Sequence, residues 1–159
     1  MFRPISVVAT AALIAAAGCA TTPAPTTIAD TAAATPQLST LTRLVGDAGL
    51  TEMLKGAGPY TVFAPTNEAF AAVPAATMAS LAGDKEKLKA MLAYHVVPGT
   101  VTSATMKNGP AKTAQGGNVS LYKAGGFVTV EEAVVTRADV AATNGVIHIV
   151  DKVMLPPAR

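Results

Sequence analysis

The segment Tyr60 to Phe70, YTVFAPTNEAF, constrains this chain most, because it specifies a strand, a turn and a helix start in one line. Tyr60 to Ala64 is apolar and made of residues that suit a pleated, buried surface. Pro65 has no N–H with which to continue a ladder. Thr66 offers its hydroxyl as an N-cap, and Glu68 falls in the first helical turn, where the positive end of the helix dipole favours an acid. Strand register and helix start are thereby set together.

A second block, Asn144 to Pro157 (NGVIHIVDKVMLPP), reads as a tight turn feeding a long apolar strand that stops at paired prolines. Between the two blocks stands Tyr94-His95. In this order and spacing, from about Leu38 to Pro156, the three resemble the conserved segments and central Tyr-His of the fasciclin (FAS1) domain. The resemblance implies an α+β fold: a wedge of two β-sheets at an angle, several short helices along one side, and the Tyr60 strand inserted beside the last one. It also implies adhesion or interaction rather than catalysis.

The amino terminus carries Arg3, an apolar run from Ile5 to Ala17, then Gly18-Cys19. A bilayer span takes roughly 20 apolar residues, so this run reads as the core of a secretory signal over residues 1–18, and the chain as exported. Ala16-Ala17-Gly18-Cys19 resembles a bacterial lipobox with Ala16 where Leu is preferred, which makes Cys19 the lipidation site. Ordinary cleavage after Ala15-Ala16-Ala17, leaving a free thiol, is the other reading. Cys19 is the single cysteine of the chain, so it has no partner for an internal disulfide, and an anchor explains it better. Ala20 in place of Asp favours the outer membrane over the inner, with the periplasm as the unanchored alternative. Residues 19–37, dominated by Thr, Ala and Pro, read as a disordered tether. Residues 38–157, about 120 in number, form one domain large enough to fold without disulfide or metal.

Taking Arg3 from the 12 basic residues leaves 11 against 10 acidic, with no basic stripe; aromatics are 4% and Trp is absent. Nucleic-acid binding is therefore not expected. Leu38, Leu41, Leu44, Val45 and Ala48 recur at helical spacing with Ser39 as a cap, and Thr51 to Lys55 adds a further turn. Short helices are expected up to Ala72 and over Thr77 to Leu81, either side of Pro74. Asp84 caps a longer helix whose Leu88, Met91, Leu92 and His95 share a face. From Val96 onward the runs Val96-Val97, Val101-Thr102, Ala111–Ala114, Val119–Lys123, Phe127–Val130 and Val134–Val140 are β-prone and broken by Gly, Pro and Asn.

No catalytic constellation is evident: neither His95 nor His148 lies in a zinc-binding spacing, no serine sits in a nucleophile elbow, and Gly116-Gly117 lacks the setting of a phosphate loop. No enzyme activity, cofactor or metal is expected. His148 alternates with Val146 and Val150 on a strand apolar on both faces, which predicts a buried, hydrogen-bonded imidazole; the sharper reading is that it tunes stability with pH. The Tyr94-His95 pair resembles the motif assigned to integrin-linked adhesion in animal fasciclins, though a His on an apolar helix face usually serves packing. Asp139-Val140 occupies the place of their Asp-Ile adhesion motif, with Arg137 and Ala138 departing from it. Thr66, Asn67, Asn144, Gly145 and His148 are the expected structural motif residues. Asn118-Val119-Ser120 fits a glycosylation sequon but reads as a turn. Two functions stand: a membrane-tethered, monomeric adhesion module that binds an envelope or extracellular protein or matrix polymer, and a carrier of a small, carotenoid-like apolar ligand held near Leu88, Met91 and Leu92.

Overall fold

A computed structural model describes residues 26–157. The signal, Cys19 and the tether up to residue 25 lie outside the described residues. In chain order the elements are α1 (Ile28–Ala34), a 3-10 turn (Pro36–Leu38), α2 (Ser39–Asp47), α3 (Thr51–Lys55), β1 (Tyr60–Pro65), α4 (Asn67–Ala71), α5 (Ala75–Gly83), α6 (Lys85–Tyr94), β2 (Val96–Pro98), β3 (Gly109–Lys112), β4 (Asn118–Ala124), β5 (Phe127–Val130), β6 (Ala133–Ala142) and β7 (Gly145–Val150). Apart from β1, the helices come first and the strands later, and the class is α+β.

The strands form one hydrogen-bonded order, β2-β1-β7-β6-β5-β4-β3. β1 runs parallel to β7, with Phe63 opposite His148, and every other pairing is antiparallel. The two-sheet wedge is thus two halves sharing β6. Register shifts between Val135 and Arg137 and between Arg137 and Val140, with Asp139 at φ +57°, break the β6–β7 ladder where the halves meet. Two cores result. Val62, Ala64, Ile147 and Ile149 face the helices, packing on Leu41, Leu54 and Leu92. Phe63 and Val150, on the opposite face of the same two strands, pack on Val119, Leu121, Val128 and Val130 of the second half.

Local signals are realised where they are self-contained. The Thr66 hydroxyl accepts from the Ala69 N–H, and the Asp84 carboxylate accepts from the Glu86 and Lys87 N–H groups. Three local expectations need correction. Val101-Thr102 is a loop held by the Thr61 hydroxyl, which accepts from Val101 N–H at 2.8 Å and donates to the Gly99 carbonyl at 2.7 Å. The last strand stops at Val150, well short of the prolines. Ser39 does not cap α2; the amide oxygen of Asn67, 27 residues on, accepts from Thr40 N–H at 2.9 Å.

The largest correction concerns the tether. Residues 28–37 belong to the domain: Ile28 is wholly buried, Ala32 nearly so, and the Thr27 hydroxyl caps α1 by accepting from Asp30 N–H. Alanine is the best helix former, so a Thr/Ala run with one large apolar residue forms a short helix once Ile28 has a core to enter. Burying that one side chain contributes about 1.5–3 kcal/mol.

Asn144, in the β6–β7 turn, closes this end of the molecule. Its amide oxygen accepts from Ile28 N–H at 2.9 Å, its amide nitrogen donates to the Leu54 and Gly56 carbonyls at 2.6 and 2.8 Å, and its backbone carbonyl accepts from Tyr60 N–H at 3.0 Å. Beside it, a Cβ on Gly145 would overlap the Tyr60 carbonyl oxygen, so only glycine permits the close pairing with β1. Asn144→Ala removes three side-chain hydrogen bonds and leaves an N–H and two carbonyls to be satisfied elsewhere, and should destabilise the domain by about 2–4 kcal/mol in urea unfolding. Asn144→Asp keeps the acceptor toward Ile28 but sets a carboxylate oxygen against the Leu54 and Gly56 carbonyls, and should be at least as destabilising at neutral pH.

Candidate functional site: the histidine anchors, an exposed hairpin face and an apolar cavity

His95 follows the last turn of α6 and is 1% exposed. Its Nδ1 lies 2.8 Å from the Met91 carbonyl, and its Nε2 accepts the Met154 N–H at 3.0 Å. A carbonyl partner requires Nδ1 to donate, so the ring is the neutral Nδ1–H tautomer, with each nitrogen committed. The neighbouring Tyr94 is 4% exposed and donates its hydroxyl to the Asn118 carbonyl at 2.9 Å, joining α6 to β4. Burial pushes its phenol pKa up, with Glu131 adding to the effect. Tyr94 and His95 therefore offer a partner no contact surface. Their proposal as interaction residues is corrected, because their polar atoms are spent inside the fold.

His148 is also fully buried, stacked on Phe63 with ring centroids 5.5 Å apart. It adopts the opposite tautomer: Nδ1 accepts the Asp139 N–H at 3.3 Å and Nε2 donates to the Val101 carbonyl at 2.6 Å. Asp139 is exposed, yet its carboxylate is engaged by Ser103, accepting from the backbone N–H at 2.7 Å and from the hydroxyl at shorter range. These Ser103 bonds, hydroxyl first, hold its pKa below the usual carboxylate value, with the charge of Lys123 assisting. Val140 is half-buried against the helix-side core. Asp139 thus clamps the loop after Gly99 onto the break in β6. The structure brings together Asp139 and His148, and separately Asn67 with the start of α2 and Asn144 with α1 and α3. It does not bring Tyr94-His95 to Asp139-Val140 as one surface.

Sequence reasoning passed over two features. On β4 and β5, Val119, Leu121, Val128 and Val130 point into the core, so their neighbours point out. The pairings Tyr122–Thr129, Ala124–Phe127 and Thr129–Val134 place these side chains on one outer face, with Phe127 74%, Tyr122 57% and Val134 37% exposed. Strict alternation in VSLYK and FVTV carries that signal.

The second feature is an apolar cavity of about 160 Å³ between α1, α2, α3 and the helix-facing side of β1 and β7. Leu54, Val62, Ala64, Leu92 and Ile147 form its buried floor, while Asp30, Thr42, Thr51 and Lys55 stand at its more exposed mouth. Leu88 and Met91 do not line it. Among the described residues no group of three or more His, Cys, Asp or Glu side chains could hold a metal ion.

Comparison with known proteins agrees with this architecture. The fasciclin domain profile matches residues 36–156. The chain belongs to the fasciclin domain family. It is 46% identical over 140 residues to Protein sll1483 of Synechocystis sp., covering 87% of this chain and 78% of that one. It is 38% identical over 143 residues to transforming growth factor-beta-induced protein ig-h3 of Sus scrofa, covering 87% of this chain but 20% of that protein. It is 36% identical over 137 residues to the cell surface glycolipoprotein MPB83 of Mycobacterium bovis, covering 83% of this chain and 61% of that one. Among solved structures, the FAS1 domain pair of the insect cell adhesion molecule Fasciclin I superposes with a TM-score of 0.65 at 18% identity, over 82% of this chain and 51% of that one.

The His95 environment predicts a pH dependence. Burial, only partly offset by the Met91 hydrogen bond, lowers its pKa from 6.5 to about 4. Between those values the unfolded chain binds a proton that the folded one refuses, so stability is complete above pH 6.5 and falls as the pH drops toward 4. The full effect is about 3 kcal/mol. Urea unfolding across pH 7 to 4 should show this slope in the wild type, and His95→Gln should flatten it while lowering stability at pH 7.

Proposed function

We propose that this chain is an exported fasciclin module, tethered to the cell envelope through Cys19, that binds a protein or matrix partner through the outer face of β4 and β5. The single observation that carries the reading is Phe127, three-quarters exposed beside Tyr122. Aromatic side chains are enriched at protein interfaces and scarce on idle surfaces, and a hairpin presents them with little entropy left to lose on binding. Export is supported by Arg3 and the apolar run behind it, and by similarity to a relative named as a cell surface glycolipoprotein. The adhesion class is supported by similarity to an insect cell adhesion molecule. A docking role at the hairpin also leaves the two histidines free for the packing they perform.

A second reading, a carrier of a small apolar ligand, is favoured by the cavity beneath α1. A long carotenoid polyene exceeds its volume.

In a binding assay, the mature protein on a sensor surface should retain material from its host's envelope fraction, and Tyr122→Ser/Phe127→Ser should weaken retention by about tenfold or more. Equal binding by the variant would remove this face from the proposal. Intact mass of the protein from native membranes should show a chain beginning at Cys19 with added acyl groups; an unmodified mass would remove the anchor.

A further inference from the structure

The space beneath α1 has a cause in the sequence. Where α1 faces the core it presents Ile28 and then Ala29 and Ala32, with exposed Ala33 at the rim, and Ala64 lies at the floor; methyl groups stand where larger side chains would close the gap. Such a void forfeits contacts on every wall that lines it. It is also dry in character. The one imidazole that reaches it, His95, has both nitrogens committed to Met91 and Met154, so its ring has no free atom to hold a water. An enclosed water needs two to four polar partners, and the floor supplies none. The roof is thin: α1 has seven residues, below the length at which a helix is stable alone, and is held at its start by Asn144. The polar residues of the lining gather at the mouth, where Asp30 is already engaged by Thr27, and Lys55 forms no ion pair among the described residues.

We propose that this cavity is a binding site for a compact amphiphile: a single aromatic ring or short branched alkyl group buried beneath α1, with at most a small polar head at the mouth beside Thr51 and Lys55. The inference rests on the apolar-carrier reading and narrows it. A cavity of about 150 Å³ lined by aliphatic side chains is known to take benzene, and this one is of that size. Drug-sized ligands need roughly 300 Å³ or more, so anything much larger than a substituted ring is excluded unless α1 leaves.

The test uses the full mature protein with toluene as probe and β-carotene as the large competitor. Toluene at millimolar concentration should raise Tm by a few degrees, and the methyl resonances of Ile28, Leu54 and Ile147 should shift while those of Val119 and Leu121 stay in place. Ala32→Leu and Ala29→Leu, each filling the cavity from the roof, should bind toluene at least tenfold more weakly. Should both variants fail to fold, the methyl map of the wild type decides. Toluene shifts centred elsewhere, or filled variants that respond as the wild type does, would overturn the site while leaving an apolar carrier standing. Carotene binding without toluene binding would likewise overturn the compact-ligand inference alone. Binding of neither would overturn both.

Discussion

The parallel pairing of β1 with β7 is the constraint from which the rest of the structure follows. Both strands are apolar on both faces, so one sheet face packed on helices could not have satisfied them. The helices cover Val62, Ala64, Ile147 and Ile149, and the second half of the sheet must return to cover Phe63 and Val150. That return is possible because β6 breaks register twice, with Asp139 in the left-handed region, before pairing with β5. Asn144 and Gly145 then decide the start of the pair: one ties down three chain segments, and the other allows backbones to approach where a side chain would collide.

Two-sided burial also explains what the histidines do. A strand or helix end enclosed on all sides has no water for stray backbone groups, and among the described residues no buried side-chain polar atom lacks a partner. His95 and His148 each accept one N–H and donate to one carbonyl, in opposite tautomers, and so satisfy backbone that is outside regular structure: Met154 after β7, and Val101 after β2. The Tyr-His pair is therefore an internal strut. Tyr94 reaches the second half of the molecule and His95 pins the segment that leaves β7, so the end of one helix holds both halves of the wedge.

The elements legible in the sequence were those whose signals are local. The strand, Pro65 stop and Thr66 cap lie within seven residues, and Asp84 caps its own helix, so no tertiary information is needed to place them. Burial of His148 followed from alternation on a doubly apolar strand. What escaped depends on distant partners. The cap of α2 comes from Asn67, and α1 exists because Ile28 finds a core and an Asn144 acceptor 116 residues away. By composition alone the same Thr/Ala run is a tether. The exposed hairpin face was written in the period-2 pattern of β4 and β5, but periodicity does not say which face is covered until the wedge closes. The cavity had no sequence signal of its own, since an alanine that leaves a void and one that fills a tight contact look alike.

The hairpin face and the cavity belong to different cores, and this separation has consequences for function. Tyr122 and Phe127 rest on strands packed in the second cluster, whereas the cavity is enclosed by the first; β1 and β7 lie between them. Changes at sites that share no partners add nearly independently, so the outer face can be altered without refilling the cavity, and the roof can be altered without moving the aromatic pair. A partner on the hairpin and a small molecule beneath α1 would not compete for the same atoms. Two elements connect them: the β1–β7 pair, buried on both faces, and the end of α6, where His95 reaches the cavity and Tyr94 bonds the β4 backbone. Each face can therefore be varied by itself, and the chain enters the domain on the side of the cavity, where Thr143 N–H bonds the Thr26 carbonyl.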